Sequence, residues 1–146
     1  MTEKVFILDS DSKHLKPFRE GMEKFLCGVG FSLKDREDIL VALGEAVANC
    51  MRHAYQGEAG HEIRVTAQDS PDRVLFKVRD FGKKIDLSLI KPPELPPTKP
   101  HGLGIYFMQT IMSEVQYNTS NAEGNELIMT KLKEKGASRE DSNKNR

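Results

Sequence analysis

Residues Ser32–Gly57 read SLKDREDILVALGEAVANCMRHAYQG. Ile39, Leu40, Leu43, Ala46, Val47, Cys50 and Ala54 recur in it at three- and four-residue steps, so the stretch predicts one long helix with a single apolar stripe turned to a core. Ser32 with Asp35 three residues on makes a capping-box start, and Gly57 just past Tyr55 supplies a stop. At about 100° per residue, Glu45, Asn49 and Arg52 fall in a narrow arc opposite the stripe, with His53 at its edge. Such a face is ordinarily a solvated one carrying an i,i+4 pair. Asn49 argues for more. A mid-helix Asn is a poor helix former whose amide prefers to bond elsewhere, so its place one turn below Glu45 asks for a metal or phosphate ligand.

N-terminal to this helix, Glu3–Leu8 predicts a short strand from its β-branched and aromatic content, followed by the polar turn Asp9-Ser10-Asp11-Ser12. Leu15, Phe18, Met22, Phe25, Leu26 and Val29 then repeat at helical spacing, with Pro17 near the first turn and Gly28 and Gly30 at the end. Asp9, Asp11 and Glu20 imitate positions of a calcium loop, but Lys13 and His14 fall on a ligand position and on the position that needs Gly, so no calcium site is expected.

C-terminal to it, Ile63, Val65 and Ala67 alternate with polar residues, and Val74, Phe76 and Val78 do so again beyond Ser70-Pro71-Asp72. The pair predicts a hairpin. Its second strand runs into Arg79-Asp80-Phe81-Gly82, delivering a carboxylate at a strand end where a glycine permits close backbone approach to a ligand. The same letters occur in eukaryotic-type protein kinases, but no glycine-rich hairpin, strand lysine or HRD loop precedes them here, and the match is coincidence. From Lys83 to His101 the pattern dissolves, with Pro92, Pro93, Pro96, Pro97 and Pro100 crowded together; this predicts a loop serving as a lid or linker. Gly102-Leu103-Gly104 opens a further helix, IYFMQTIMSEV, striped by Ile105, Met108, Met112 and Val115, and exposed amides at such a start suit an anion. Val115–Thr119 and Asn125–Leu132 predict a second hairpin, and the tail from Lys133 has no apolar pattern and is expected to be disordered.

A chain of 146 residues, 38% apolar and 30% charged, makes one domain with a sizeable core. With 22 basic and 22 acidic residues there is no global field to steer it onto nucleic acid or an anionic membrane, and neither partner is expected. Val5–Leu8 is too short an apolar run for a signal peptide or membrane span, which predicts a cytoplasmic protein. Cys27 and Cys50 sit within helical patterns and read as reduced core thiols.

The order of these parts is more specific than any one of them: a helix with Glu45 and Asn49, a strand-end Asp80 with Gly82, a loop, then Gly102 and Gly104 opening a helix. It resembles the ATP-binding domain of the GHKL superfamily, and within it the bacterial anti-sigma factor serine kinases of the RsbW and SpoIIAB type. EAVANCMRHAY (45–55) resembles that group's N box, RDFGK (79–83) its first glycine box, and HGLGIYFMQTIMSEV (101–115) its second. One departure stands out: where the first glycine box usually has a second glycine, this chain has Lys84, which implies a less tight turn beside the adenine.

The resemblance implies a two-layer α/β (α+β) sandwich of the Bergerat type, its mixed, mainly antiparallel sheet covered on one face by three helices, formed by residues 1–132 with a disordered charged tail at 133–146. It implies ATP and magnesium as cofactors. Asn49 would hold the magnesium, Glu45 would orient or deprotonate an acceptor serine, and Asp80 would accept from the adenine amino group with Gly82 letting the ring approach. Gly102, Leu103 and Gly104 would wrap the phosphates, with Lys83–His101 as lid and Lys99 or His101 as a cation. His53 reads as a packing residue fixing the helix end, and Arg52 as a partner for Glu45 or another protein. By resemblance the chain is a homodimeric anti-sigma factor that binds a sigma factor and phosphorylates an antagonist of the STAS type. The alternatives are a catalytically silent, nucleotide-dependent sequestering module, and the catalytic domain of a sensor histidine kinase, for which His61-Glu62 is the sole His-acid pair.

Overall fold

Phe6, Val65, Val78, Leu127 and Tyr117 stand side by side across the molecule. The row exists because the alternating stretches pair in register as β1 (Thr2–Asp9), β2 (Glu62–Asp69), β3 (Arg73–Asp80), β4 (Glu114–Asn118) and β5 (Asn125–Leu132). They form one five-stranded sheet in the order β1-β2-β3-β5-β4, and all four pairings are antiparallel. The computed structural model describes residues 2–85, 108–118 and 120–134.

The period of two puts Ile63, Val65 and Ala67 of β2, Val74, Phe76 and Val78 of β3 and Leu127 and Met129 of β5 on one face, all buried. The helices cover that face: α1 (Leu15–Cys27) and α2 (Leu33–Asn49) contribute Phe18, Met22, Leu26, Ile39, Leu43 and Val47 to the same core. The opposite face carries Arg64, Lys77 and Arg79 with the exposed Val5, Ile7 and Leu132, so the domain has two layers. Within the covered face, arginine breaks the apolar rule once: Arg36 is buried, and its Nη1 donates to the Phe31 carbonyl at 2.8 Å.

Local chemistry sets the ends. Ser32 Oγ accepts from the Asp35 N–H at 3.2 Å, the cap its sequence position predicts. Asp9 Oδ1 accepts from Asp11 N at 2.9 Å and from Gly60 N at 3.0 Å, and Asp11 Oδ1 from Lys13 N at 3.1 Å. The acidic turn that imitates a calcium loop is thus spent on backbone amides, opening a single 3₁₀ turn (Ser12–His14) ahead of α1.

Two boundaries differ from expectation. The long helix leaves α geometry after Asn49 and finishes as a π-turn over Cys50–Ala54. The helix expected to run to Val115 is helical at residues 108–111 and gives way to β4 at Glu114. The Ser113 N–H donates to Thr130 O at 2.8 Å, so pairing with β5 overrides a helical repeat that Val115 satisfies equally well. Lys133, placed in the tail by pattern, is held by its N–H on Asp72 O at 2.9 Å and by Nζ on Asp69 Oδ1 at 2.6 Å. The rest of the tail, residues 135–146, lies outside the described residues, as does the lid from residue 86 onward.

Candidate functional site

The π-turn decides where the end of β3 docks. Widening to an i→i−5 bond, Tyr55 N–H to Cys50 O at 3.0 Å, adds one residue to the last turn and leaves the Ala54 carbonyl facing outward, where Lys83 N–H takes it at 2.8 Å. Gly82 lies against the same carbonyl. A Cβ there would stand 2.4 Å from Ala54 O, so only glycine admits the approach. Tyr55 completes the joint: its hydroxyl donates to Glu62 O, accepts from Phe81 N–H at 2.7 Å, and its ring stacks on His61 at 4.8 Å between centroids. Burial raises the Tyr55 phenol above its ordinary value, the nearby Asp80 charge adding to it.

Asp80, the last residue of β3, is wholly buried. Its Oδ1 accepts three N–H groups: Gly82 N at 3.0 Å, Asn125 N at 3.2 Å and Asn125 Nδ2 at 3.0 Å. Its Oδ2 has one long N–H contact, Asn125 Nδ2 at 3.3 Å, and the carboxylate also accepts from the Cys50 thiol. Among the described residues no cation pairs with it. A buried carboxylate with spare acceptor capacity is costly unless a donor completes it. The Cys50 thiol faces it from the helix, and burial, then the Asp80 charge, pushes that thiol well above its ordinary value; from β4, Tyr117 is likewise raised by burial and by Cys50 and Asp80.

One residue before Cys50, Asn49 is buried and accepts on Oδ1 from Arg52 Nη2 at 2.8 Å. Arg52 therefore pairs with Asn49 rather than with Glu45. Glu45 is half-buried, with no hydrogen-bond or ion-pair partner among the described residues. His53, read as a residue that packs at the helix end, is exposed: the π-turn swings it outward, and Tyr55 does the fixing. His61 faces Glu58 at 3.3 Å and not Glu62. The structure thus brings Asn49, Cys50, Asp80 and Gly82 into one neighbourhood. Gly102, Leu103, Gly104, Lys99 and His101 lie outside the described residues.

Asn125 escaped the sequence reading. Its Nδ2 also donates to Lys83 O at 2.9 Å and its Oδ1 accepts from Ile85 N at 2.8 Å. The segment around Lys84, where a glycine was expected, is held by this amide and by the Lys84 ammonium on Asn121 O. The available signal was the residue type, since Asn is depleted in strands yet opens β5.

Residues 8–131 match the family model for the histidine kinase-like ATPase domain. The chain belongs to this family. Similar proteins include "Serine-protein kinase RsbW" of Listeria innocua serovar 6a and of Bacillus mycoides, each 32% identical over 111 residues. The alignments cover 70% of this chain and 69% and 68% of the two relatives. The protein of that name from Oceanobacillus iheyensis is equally similar, at 32% over 70% of the chain. The resemblance to GHKL serine kinases is therefore shown, and the two-layer sheet-and-helix architecture agrees with it. Among the described residues no helix is long and apolar enough to cross a membrane.

The donor set fits the groups that a histidine kinase-like ATPase uses. Asn49 offers one neutral, hard oxygen, and among the described residues no cluster of three or more His, Cys, Asp or Glu could hold a metal alone. That suits magnesium, which keeps waters and takes its remaining ligands from phosphates. Asp80 Oδ2 offers an acceptor beside an Oδ1 already taken by N–H donors, which suits an exocyclic amino group.

Proposed function

We propose that the chain is an ATP-dependent serine-protein kinase and anti-sigma factor of the partner-switching kind, which binds a sigma factor and phosphorylates a STAS-type antagonist in the cytoplasm. The observation that carries the nucleotide part is Asp80: a buried carboxylate with one oxygen saturated by N–H groups and acceptor capacity left on the other, directly beside the helix that bears Glu45 and Asn49. The kinase part is supported by the relatives' printed name, serine-protein kinase, which also weighs against a silent sequestering module.

Bound Mg-ATP would supply the phosphoryl group and the charge neutralisation that its transfer requires. The chain's own residues divide the remaining work. Asp80 Oδ2 accepts from the adenine amino group and rejects guanine, whose carbonyl oxygen would face an oxygen. Asn49 supplies the oxygen for magnesium after releasing Arg52. Glu45, half-buried and without a partner among the described residues, orients or deprotonates the acceptor serine hydroxyl. Gly102, Leu103 and Gly104 wrap the phosphates through their amides. A homodimer has an available seam at β1, a sheet-edge strand with Val5 and Ile7 exposed.

The test is phosphoserine formation on a purified STAS-domain protein mixed with this chain and Mg-ATP, in parallel with ATP and GTP affinities by calorimetry. Transfer with a preference for ATP is expected. Binding of ATP and a partner without transfer would establish the sequestering module, and equal affinity for GTP would remove Asp80 from its assigned role.

A further inference from the structure

Every polar atom of the Asn125 side chain is committed. Its amide has two Nδ2 hydrogens and an acceptor oxygen. One hydrogen goes to Asp80 and the other to Lys83 O at 2.9 Å, while Oδ1 receives Ile85 N–H at 2.8 Å. Its backbone N–H adds a further bond to Asp80 Oδ1 at 3.2 Å. Oxygens face the nitrogen and an N–H faces the oxygen, so the amide has a single consistent orientation. The residue is 8% exposed. Gly124 before it has φ +65°, and a Cβ there would stand 2.1 Å from Asp80 O, so the turn into β5 is pressed against the end of β3.

We propose that Asn125 is a positioning and specificity-determining residue of this site: it saturates one oxygen of Asp80 so that the other alone reads the base, and it ties that carboxylate to the Lys83–Ile85 segment beside it. The inference rests on the nucleotide reading of Asp80 and adds to it the residue that chooses between its two oxygens. The groups facing Asp80 are the Cys50 thiol from the helix, the Tyr55 phenol from the helix end and the Tyr117 phenol from β4, all held protonated by burial. Arg79 Nη1 sits on the carbonyls of Glu123 and Asn125 at 2.8 and 3.2 Å.

Three substitutions separate positioning from mere stability. Asn125→Ala removes both arms of the amide; ATP affinity falls roughly 10- to 100-fold, as expected for a lost hydrogen bond to a charged group, and GTP affinity falls less, so the ATP:GTP ratio shrinks. Asn125→Thr returns one hydroxyl donor to Asp80 but neither loop contact, and retains more of the ratio than Asn125→Ala. Asn125→Asp sets two carboxyls face to face, so its ATP affinity rises as pH falls from 8 to 5 and one of them takes up a proton to donate; the wild type shows no such rise. Affinities are read by calorimetry, with urea midpoints recorded for each variant. An unchanged ATP:GTP ratio in Asn125→Ala and Asn125→Thr, with a flat pH profile in Asn125→Asp, would reduce Asn125 to a structural residue and overturn the inference. A wild type that binds neither nucleotide would instead overturn the reading on which it rests.

Discussion

Arg52 Nη2 donates to Asn49 Oδ1 at 2.8 Å, so the oxygen proposed for magnesium is already engaged by a cation from the same helix end. A guanidinium on that oxygen would repel a magnesium ion brought to it. Arg52→Ala therefore lowers the magnesium concentration needed for half-maximal ATP binding by roughly two- to fivefold, the scale of one net hydrogen bond. Calorimetric titration of ATP over a magnesium series checks this. A higher requirement would show that Arg52 assists the bound state instead.

Glu45 and Asn49 stand one turn apart with different proposed duties, and their substitutions are expected to diverge accordingly. Glu45→Gln keeps size and most hydrogen bonding while removing the charge proposed to take the serine proton. Transfer drops about 10²- to 10⁴-fold with ATP affinity near normal. Asn49→Ala lowers magnesium-dependent affinity and transfer together. Wild-type transfer in Glu45→Gln would exclude it as the base.

Gly82 is needed for packing, whatever it also does for a ligand. A methyl group there meets Ala54 O at 2.4 Å and Ala54 C at 2.7 Å, backbone atoms at a helix end that also accept from Lys83. Gly82→Ala destabilises the fold by about 1–3 kcal/mol, the range for overpacking, read as a shift in urea midpoint at unchanged slope. A stability equal to wild type would mean that the joint between α2 and β3 is looser than its geometry.

Alkaline pH should weaken the fold from a defined starting point. The Cys50 thiol and Tyr55 phenol are both raised in the folded protein, by burial first and by Asp80 as well. Folded, they keep their protons after the unfolded chain has lost its own. Stability is therefore intact below the ordinary thiol value of 9.0 and declines as pH rises through it and then through the ordinary phenol value of 10.0. Each group contributes a slope of at most about 1.4 kcal/mol per pH unit. In Cys50→Ala the decline starts about one unit later; urea unfolding from pH 8 to 11 measures it, and identical profiles would refute the assignment.

Patterns of one element at a time were legible. The strands of the first hairpin, the α2 stripe and its Ser32 cap follow from periodicity and a cap residue, and Asp80 with Gly82 follows from a polar motif at a strand end. What escaped depends on contacts between elements or on a shift too small for periodicity to register. One extra residue in the last turn moves His53 out and Tyr55 in, yet a π-turn and an α-turn carry the same letters. The 3.6-residue repeat through Val115 is real, but β4 exists because β5 pairs with it. Asn125 is invisible as a site residue in its own strand, since its importance is that it lies opposite Asp80, 45 residues earlier in the chain.

The strand order has a consequence for synthesis. β5 is the last of the described strands to be made, yet it sits inside the sheet, between β3 and β4. While the chain emerges from the ribosome, β1, β2 and β3 can pair, but Asp80 lacks Asn125 and β3 presents a bare edge until the residues at 125–132 follow. A nascent chain is therefore unable to assemble the pocket, and its open β3 edge is the place where a chaperone or another unfinished copy would attach.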